Sequence, residues 1–263
     1  MSQVVFVPHG GGPKPVLGDP HHAELVSYLK ALQPAIAKAK ALLVITAHWE
    51  APEVAISAQA QPGMLYDYSN FPEQAYRLQY PVPGAPDLAI RVQAMLAKQG
   101  IDATLDHQRG YDHGTFIPLM LMAPEAHIPV LQLSLMSDLN PQAHINMGKA
   151  LAPLLAEGVM ILGSGLSFHS FPAMRSADKA EPFARSKRFD DWLNATILST
   201  DRGAAEQQLA NWEQAPEARY SHPREEHLLP LHVCFGAAMA GGLTPSNFYQ
   251  GQLFGVMNSG FIW

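Results

Sequence analysis

The chain has 263 residues and a formal charge of −6, with 17 Lys+Arg against 23 Asp+Glu, 48% hydrophobic and 15% charged residues. That composition excludes a disordered or collagen-like chain, and the acidic balance argues against a nucleic-acid binder. The lone Cys234 excludes an internal disulfide and a Cys-rich zinc module, and fits a reducing compartment.

The first element is a short apolar run at residues 4–8, which reads as a buried strand stopping at His9-Gly10-Gly11-Gly12-Pro13. Residues 22–40 predict a helix, because Leu25, Leu29, Leu32 and Ile36 recur at three- and four-residue steps. Residues 41–47 are almost continuously apolar, as in a parallel strand covered on both faces, and end at His48-Trp49-Glu50. Residues 53–58 alternate and predict another strand. Residues 62–86 form a long loop rich in Pro, Tyr and Phe, the kind that is usually functional.

Pro86 opens a helix over 86–98, and a strand follows at 101–105. After the polar loop Arg109–Gly114, residues 115–122 predict a short helix. Strands at 128–135 and 159–162 flank a helix at 141–156; the second strand ends in Gly163-Ser164-Gly165, with His169 just beyond. Residues 181–211 read as helical, and a further helix starts at Pro223 and runs to about 239. The tail, 244–262, predicts a hairpin with Phe248, Gln250, Gln252 and Phe254 alternating. Alternation of strands and helices implies an α/β fold: a single compact domain over 1–263, with a mostly parallel core sheet and helices on both faces.

No apolar run reaches the roughly 18 residues of a membrane span. Residues 1–3 lack the basic start of a secretory leader, so a cytoplasmic protein is expected, with no membrane partner.

Twelve histidines against 17 Lys+Arg are unusual and raise the expectation of a metal site. Three of them share one position, since His9, His48 and His169 each follow a predicted strand. In an open parallel sheet the carboxyl ends of the strands line one crevice, so these residues could converge. His227, beside Glu225 and Glu226, and His113, in Asp112-His113-Gly114, are further candidates; the acids could orient imidazoles. Local spacing alone is weak evidence: there is no His-Glu-x-x-His and no Gly-x-Ser-x-Gly elbow around Ser164.

Taken together and in order, several strings resemble the class III extradiol ring-cleavage dioxygenases, in particular their 4,5-DOPA dioxygenase-like branch. They are His9-Gly-Gly-Gly-Pro13, Thr46-Ala-His-Trp-Glu50, Tyr66-Asp-Tyr68, Tyr80-Pro-Val-Pro-Gly84, Arg109-Gly-Tyr-Asp-His-Gly114, Gly163-Ser-Gly165 with His169, and His222-Pro-Arg-Glu-Glu-His227. The resemblance implies a mononuclear Fe(II) centre held by His9, His48 and His227, with zinc possible in purified protein. It also implies His169 as acid–base residue and His113 as a contact to substrate or oxygen. The implied partners are a catechol and O2, and the Tyr66–Phe71 loop with Tyr76 and Tyr80 would wall the ring pocket. The alternatives are a zinc hydrolase using a metal-bound water and a non-catalytic interaction module on the same fold.

Overall fold

The computed structural model of the protein describes residues 4–245 and 247–263; the leader reading at residues 1–3 and the side chain of Phe248 lie outside the described residues. The strands are β1 (Val4–Pro8), β2 (Ala41–Ala51), β3 (Val54–Ser57), β4 (Ala103–Asp106), β5 (Val130–Met136), β6 (Val159–Gly165), β7 (Asn247–Leu253) and β8 (Val256–Ile262). Among the described residues they form one eight-stranded sheet in the order β4-β3-β5-β2-β6-β1-β8-β7. The centre, β5-β2-β6-β1, is parallel throughout, and β8 joins β1 antiparallel.

The apolar runs sit in this parallel centre for the expected reason. In β1, Val4 and Phe6 face one core while Val5 and Val7 face the other; in β2, Leu43 and Ile45 divide from Leu42 and Val44 in the same way. A strand buried on both faces cannot show polar alternation. The first face is covered by helices Pro86–Ala97, Pro141–Leu151, Ala180–Ile197 and Leu229–Ala240, the second by Ala23–Ala31 and His113–Met122. Each fully buried Leu, Ile or Val contributes about 1.5–3 kcal/mol. Helices Pro141–Leu151 and Leu229–Ala240 cross closely because a Cβ on Gly148 would lie 2.0 Å from the Val233 carbonyl oxygen. No described helix is long and apolar enough to cross a membrane.

Several boundaries differ from expectation. The helix expected over 22–40 breaks into Ala23–Ala31 and Gln33–Ile36, because Pro34 restarts it. His48 lies inside β2, not after it: the register against β5 shifts between Ile45 and Glu50, and such an irregularity re-aims side chains. Strand β6 runs on through Gly163-Ser164-Gly165, past the expected end at 162. The helix expected from Pro223 starts only at Leu229, so His227 stands on the irregular chain before it. The tail hairpin forms as expected.

Helix His113–Met122 shows how local chemistry places a site residue. Asp112 caps its start, accepting from the Thr115 N–H at 3.1 Å. Pro118 lacks an N–H, so the carbonyl of Gly114 loses its helical partner. The buried Ser164 hydroxyl from β6 donates to that carbonyl instead, tying the helix to the sheet. This use makes Ser164 a structural residue.

The core also stores an acid sensitivity. His232 is fully buried; burial pushes its pKa down to about 4, and the Leu209 carbonyl, 2.9 Å from Nε2, only partly opposes this. The unfolded chain takes up a proton near pH 6.5 that the folded chain refuses, so stability is full above pH 6.5 and falls as the pH drops toward 4. That loss is about 3 kcal/mol. Chemical denaturation at pH 7 and pH 4.5 checks it: His232→Gln, which can still donate to Leu209, is expected to flatten this limb. An equally steep limb in the variant refutes the assignment.

Candidate metal centre and active site

The parallel order brings the carboxyl ends of β1, β6 and β2 side by side. His9 follows β1 with its N–H bonded to the Gly165 carbonyl at 3.0 Å. His227 is held by its carbonyl, which accepts from the Leu166 N–H at 3.0 Å just past β6. Only glycine fits at position 165, where a Cβ would lie 2.2 Å from that same carbonyl oxygen. His169 is anchored by its N–H to the Ser221 carbonyl at 2.9 Å. His48 is held on β2 by Arg109, which donates to its carbonyl at 3.0 Å and rests on the Trp49 ring at 4.7 Å. Arg109 also bonds Asp112, which takes further donors from Thr46 and Gln132.

All five candidate histidines therefore meet in one cavity of about 630 Å³, a size suited to a small ligand. The ring centres of His9, His48 and His227 are separated by 4.9, 5.3 and 5.0 Å. Imidazoles bound to one ion at about 2.1 Å place their centres roughly 4.6 Å apart at right angles and roughly 5.3 Å apart at tetrahedral angles. These three could hold a common metal. The ligand atoms that fall within 4.8 Å of one another form two other sets among the described residues: His9 with His48 and His113, and His169 with Glu226 and His227. Within them, however, His48 and His113 lie 3.9 Å apart, and His169 stacks on His227 at 3.5 Å with 20° between planes. Both spacings are below what a shared ion requires.

The direction of the lone pairs is set from behind. His9 Nδ1 lies 3.0 Å from the Gly10 carbonyl, which can only accept, so Nδ1 carries the proton. His227 Nδ1 lies 2.8 Å from Glu226, and His48 Nδ1 lies 3.5 Å from Asp67. In His9 and His227 this turns Nε2 away from the partner, and the Nε2 atoms of His9 and His48 face each other at 3.3 Å. Burial, reinforced by neighbouring imidazoles, pushes His9 and His227 well below the ordinary value, and His48 to about 3. They are neutral near pH 7, as metal ligands must be.

Two carboxylates organise the site, one per side. Asp67 binds His113 Nδ1 at 2.7 Å and the His113 N–H at 3.0 Å as well as facing His48. Glu226 lies 2.8 Å from His227 Nδ1 and 3.4 Å from His169 Nδ1. Burial pushes both acids up, but the His113 hydrogen bond holds Asp67 down at about 2, and His169 likewise keeps Glu226 below the usual range. Asp67 sits in the Tyr66-Asp-Tyr68 string that carries the resemblance, but that string gave the acid no role of its own. Of the expected aromatic wall, Tyr68 and Phe71 line the cavity. Tyr66 and Tyr80 turn away, donating to the Leu78 and Ala123 carbonyls, and Phe171 and Phe254, which motif reading missed, line it instead.

A covered parallel sheet with a histidine-rich crevice at its carboxyl edge describes a metal-dependent enzyme of small molecules. The family model for the catalytic LigB subunit of aromatic ring-opening dioxygenase matches residues 5–261. The chain is 38% identical to a 4,5-DOPA dioxygenase extradiol of Beta vulgaris, covering 90% of this chain and 87% of that protein. It is 34% identical to the Escherichia coli K12 protein of the same description, over 89% and 84%. It is 38% identical to the dioxygenase tasH of Hapsidospora irregularis, over 90% and 78%. A crystal structure of an uncharacterized Escherichia coli K12 protein superposes with a TM-score of 0.79 at 30% identity, over 99% of both chains. The chain belongs to the LigB family of aromatic ring-opening dioxygenases, as an extradiol ring-cleavage enzyme. Enzymes of this family depend on a metal and act on a small aromatic molecule with O2.

Proposed function

We propose that the protein is an Fe(II) enzyme that opens a catechol ring beside its pair of hydroxylated carbons. Both atoms of O2 enter the product, a semialdehyde, so no outside reductant is needed. His9, His48 and His227 would hold the iron through Nε2. The observation that carries this reading is the trio of Nδ1 atoms engaged from behind, with the His9 and His48 Nε2 atoms 3.3 Å apart. The 3.9 Å spacing of His48 and His113 disfavours His113 as the third ligand.

When bound, ferrous iron would acidify the catechol hydroxyls and pass electron density from the ring to O2. The remaining work falls to the chain's own groups. His169 lines the cavity with Nδ1 turned to Glu226, leaving Nε2 to take a proton from one hydroxyl and return it to a departing oxygen. His113, tied through Nδ1 to Asp67, has Nε2 free to accept a hydrogen bond from a substrate oxygen. Tyr68 and Phe71 shield the ring from water. The relatives, dioxygenases by name, lend no support to a zinc hydrolase or a non-catalytic module.

The test is to strip the protein of metal, reload it anaerobically with Fe(II), and add a catechol and air. One O2 consumed per catechol, with a yellow product, is expected; zinc-loaded protein should do neither. Oxygen-independent hydrolysis by the zinc form would reverse the conclusion.

A further inference from the structure

Two of the three proposed ligands face a carboxylate with Nδ1; His9 faces a peptide group instead. Its Nδ1 lies 3.0 Å from the Gly10 carbonyl oxygen, and the N–H at the other end of that same peptide unit, on Gly11, donates to His22 Nε2 at 3.0 Å. One rigid peptide plane therefore joins two imidazoles. A backbone N–H can only donate, so His22 Nε2 is bare and its ring carries the proton on Nδ1, which faces Asp19 at 3.8 Å.

Local chemistry delivers the His22 ring to this peptide. Asp19 caps the short helix Pro20–His22, accepting from the His21 N–H at 2.9 Å. The ring is fully buried, with Phe254 edge-on at 5.0 Å. The approach needs a loop without side chains: Gly10 has φ +83°, and a Cβ on it would lie 2.9 Å from His22 Cδ2 and 2.6 Å from Pro15 Cγ. The same freedom is a liability. With glycine on both sides, the peptide plane can turn over at little steric cost, through the Gly10 ψ and the Gly11 φ. Turned over, it presents an N–H to His9 Nδ1. That nitrogen must then accept, the proton moves to Nε2, and the lone pair for a metal is gone.

We propose that His22 is a positioning residue for the metal centre: by accepting the Gly11 N–H it locks the Gly10–Gly11 peptide with its carbonyl toward His9, and so keeps the His9 Nε2 free for the ion. This inference rests on the ligand role given to His9 above. A hydrogen bond at the N–H end also polarises the peptide and strengthens its carbonyl as an acceptor. A neutral backbone group thereby takes the place that Asp67 and Glu226 fill for the other two ligands. His22 stands behind the cavity wall, not in it. Its loss should resemble the loss of an outer partner, about tenfold in metal affinity.

A pair of variants tests it. His22→Gln keeps an acceptor within reach of the Gly11 N–H, whereas His22→Leu fills the space without one. Zn(II) and Fe(II) affinities are measured by chelator competition. The protons of His9 and His22 are placed by long-range proton–nitrogen correlation spectroscopy of the metal-free protein. The wild type should hold both rings as Nδ1–H tautomers. His22→Leu should bind either metal about tenfold more weakly and shift His9 toward the Nε2–H form, and His22→Gln should restore both. An Nε2–H form of either ring in the wild type, or wild-type affinity and tautomer in His22→Leu, overturns the proposal. So does a loss in His22→Gln equal to that in His22→Leu, which would mark His22 as packing alone. If His22→Leu does not fold, the wild-type tautomers and the affinity of His22→Gln decide. If the wild type binds neither metal, the reading of His9 as a ligand fails, and the tautomers alone still decide whether His22 directs His9.

Discussion

Replacing His48 by alanine is expected to strip the protein of its metal and with it all turnover, whereas His169→Ala should keep the metal and lose turnover about 10²–10⁴-fold. The separation follows from position. The His48 Nε2 faces that of His9 at 3.3 Å, and its loss removes one of three imidazoles spaced for a common ion. Affinity should fall by more than the roughly 10–100-fold that losing an outer partner costs. His169 stacks on His227 at 3.5 Å, too near to share the ion at an ordinary angle. On the proposed roles, its removal would take away the proton carrier and leave the three proposed ligands in place. Metal content by atomic spectroscopy, read beside oxygen uptake, separates the two; equal metal loss in both variants would mean that the division of roles is wrong. His227→Ala and His113→Ala extend the test, with loss of metal expected from the former alone.

The second large effect belongs to the carboxylates. Asp67→Asn and Glu226→Gln keep size and remove charge, and each is expected to weaken metal binding or turnover about 10–100-fold. An ionised carboxylate can only accept, so it fixes the proton of its histidine on Nδ1. An amide can present either a donor or an acceptor, and a histidine whose Nδ1 proton is no longer required can move it to Nε2, where it blocks the metal. Asp67 serves His113 and His48; Glu226 serves His227 and His169. The expected signature is reduced metal affinity at unchanged global stability, read by competition with a chelator and by denaturation. Wild-type affinity in both variants would show that the backbone alone orients the imidazoles.

The paired-carboxylate arrangement explains why the site was only half legible from local pattern. The resemblance supplied five histidines by motif, and three of them could be placed at strand ends by periodicity alone. Asp67 lay in a matching string but without a legible role, because its partner His113 lies 46 residues away and the two meet only when the long loop closes over helix His113–Met122. Phe254 was silent for the same reason: it reaches the cavity only because β8 pairs with β1 and carries the hairpin tip across the sheet edge.

What the sequence by itself determined is the layered α/β architecture and the identity of the histidines. Burial on both faces demands continuous apolar runs, and those are visible in residues 41–45 and 159–162 without any coordinates. What only the tertiary structure decided is direction: the register shift at His48, the late helix start that leaves His227 on irregular chain, and the carbonyl that holds His9 Nδ1. Periodicity records how much of a residue is buried, whereas a lone pair's aim depends on partners far along the chain, brought close only by folding.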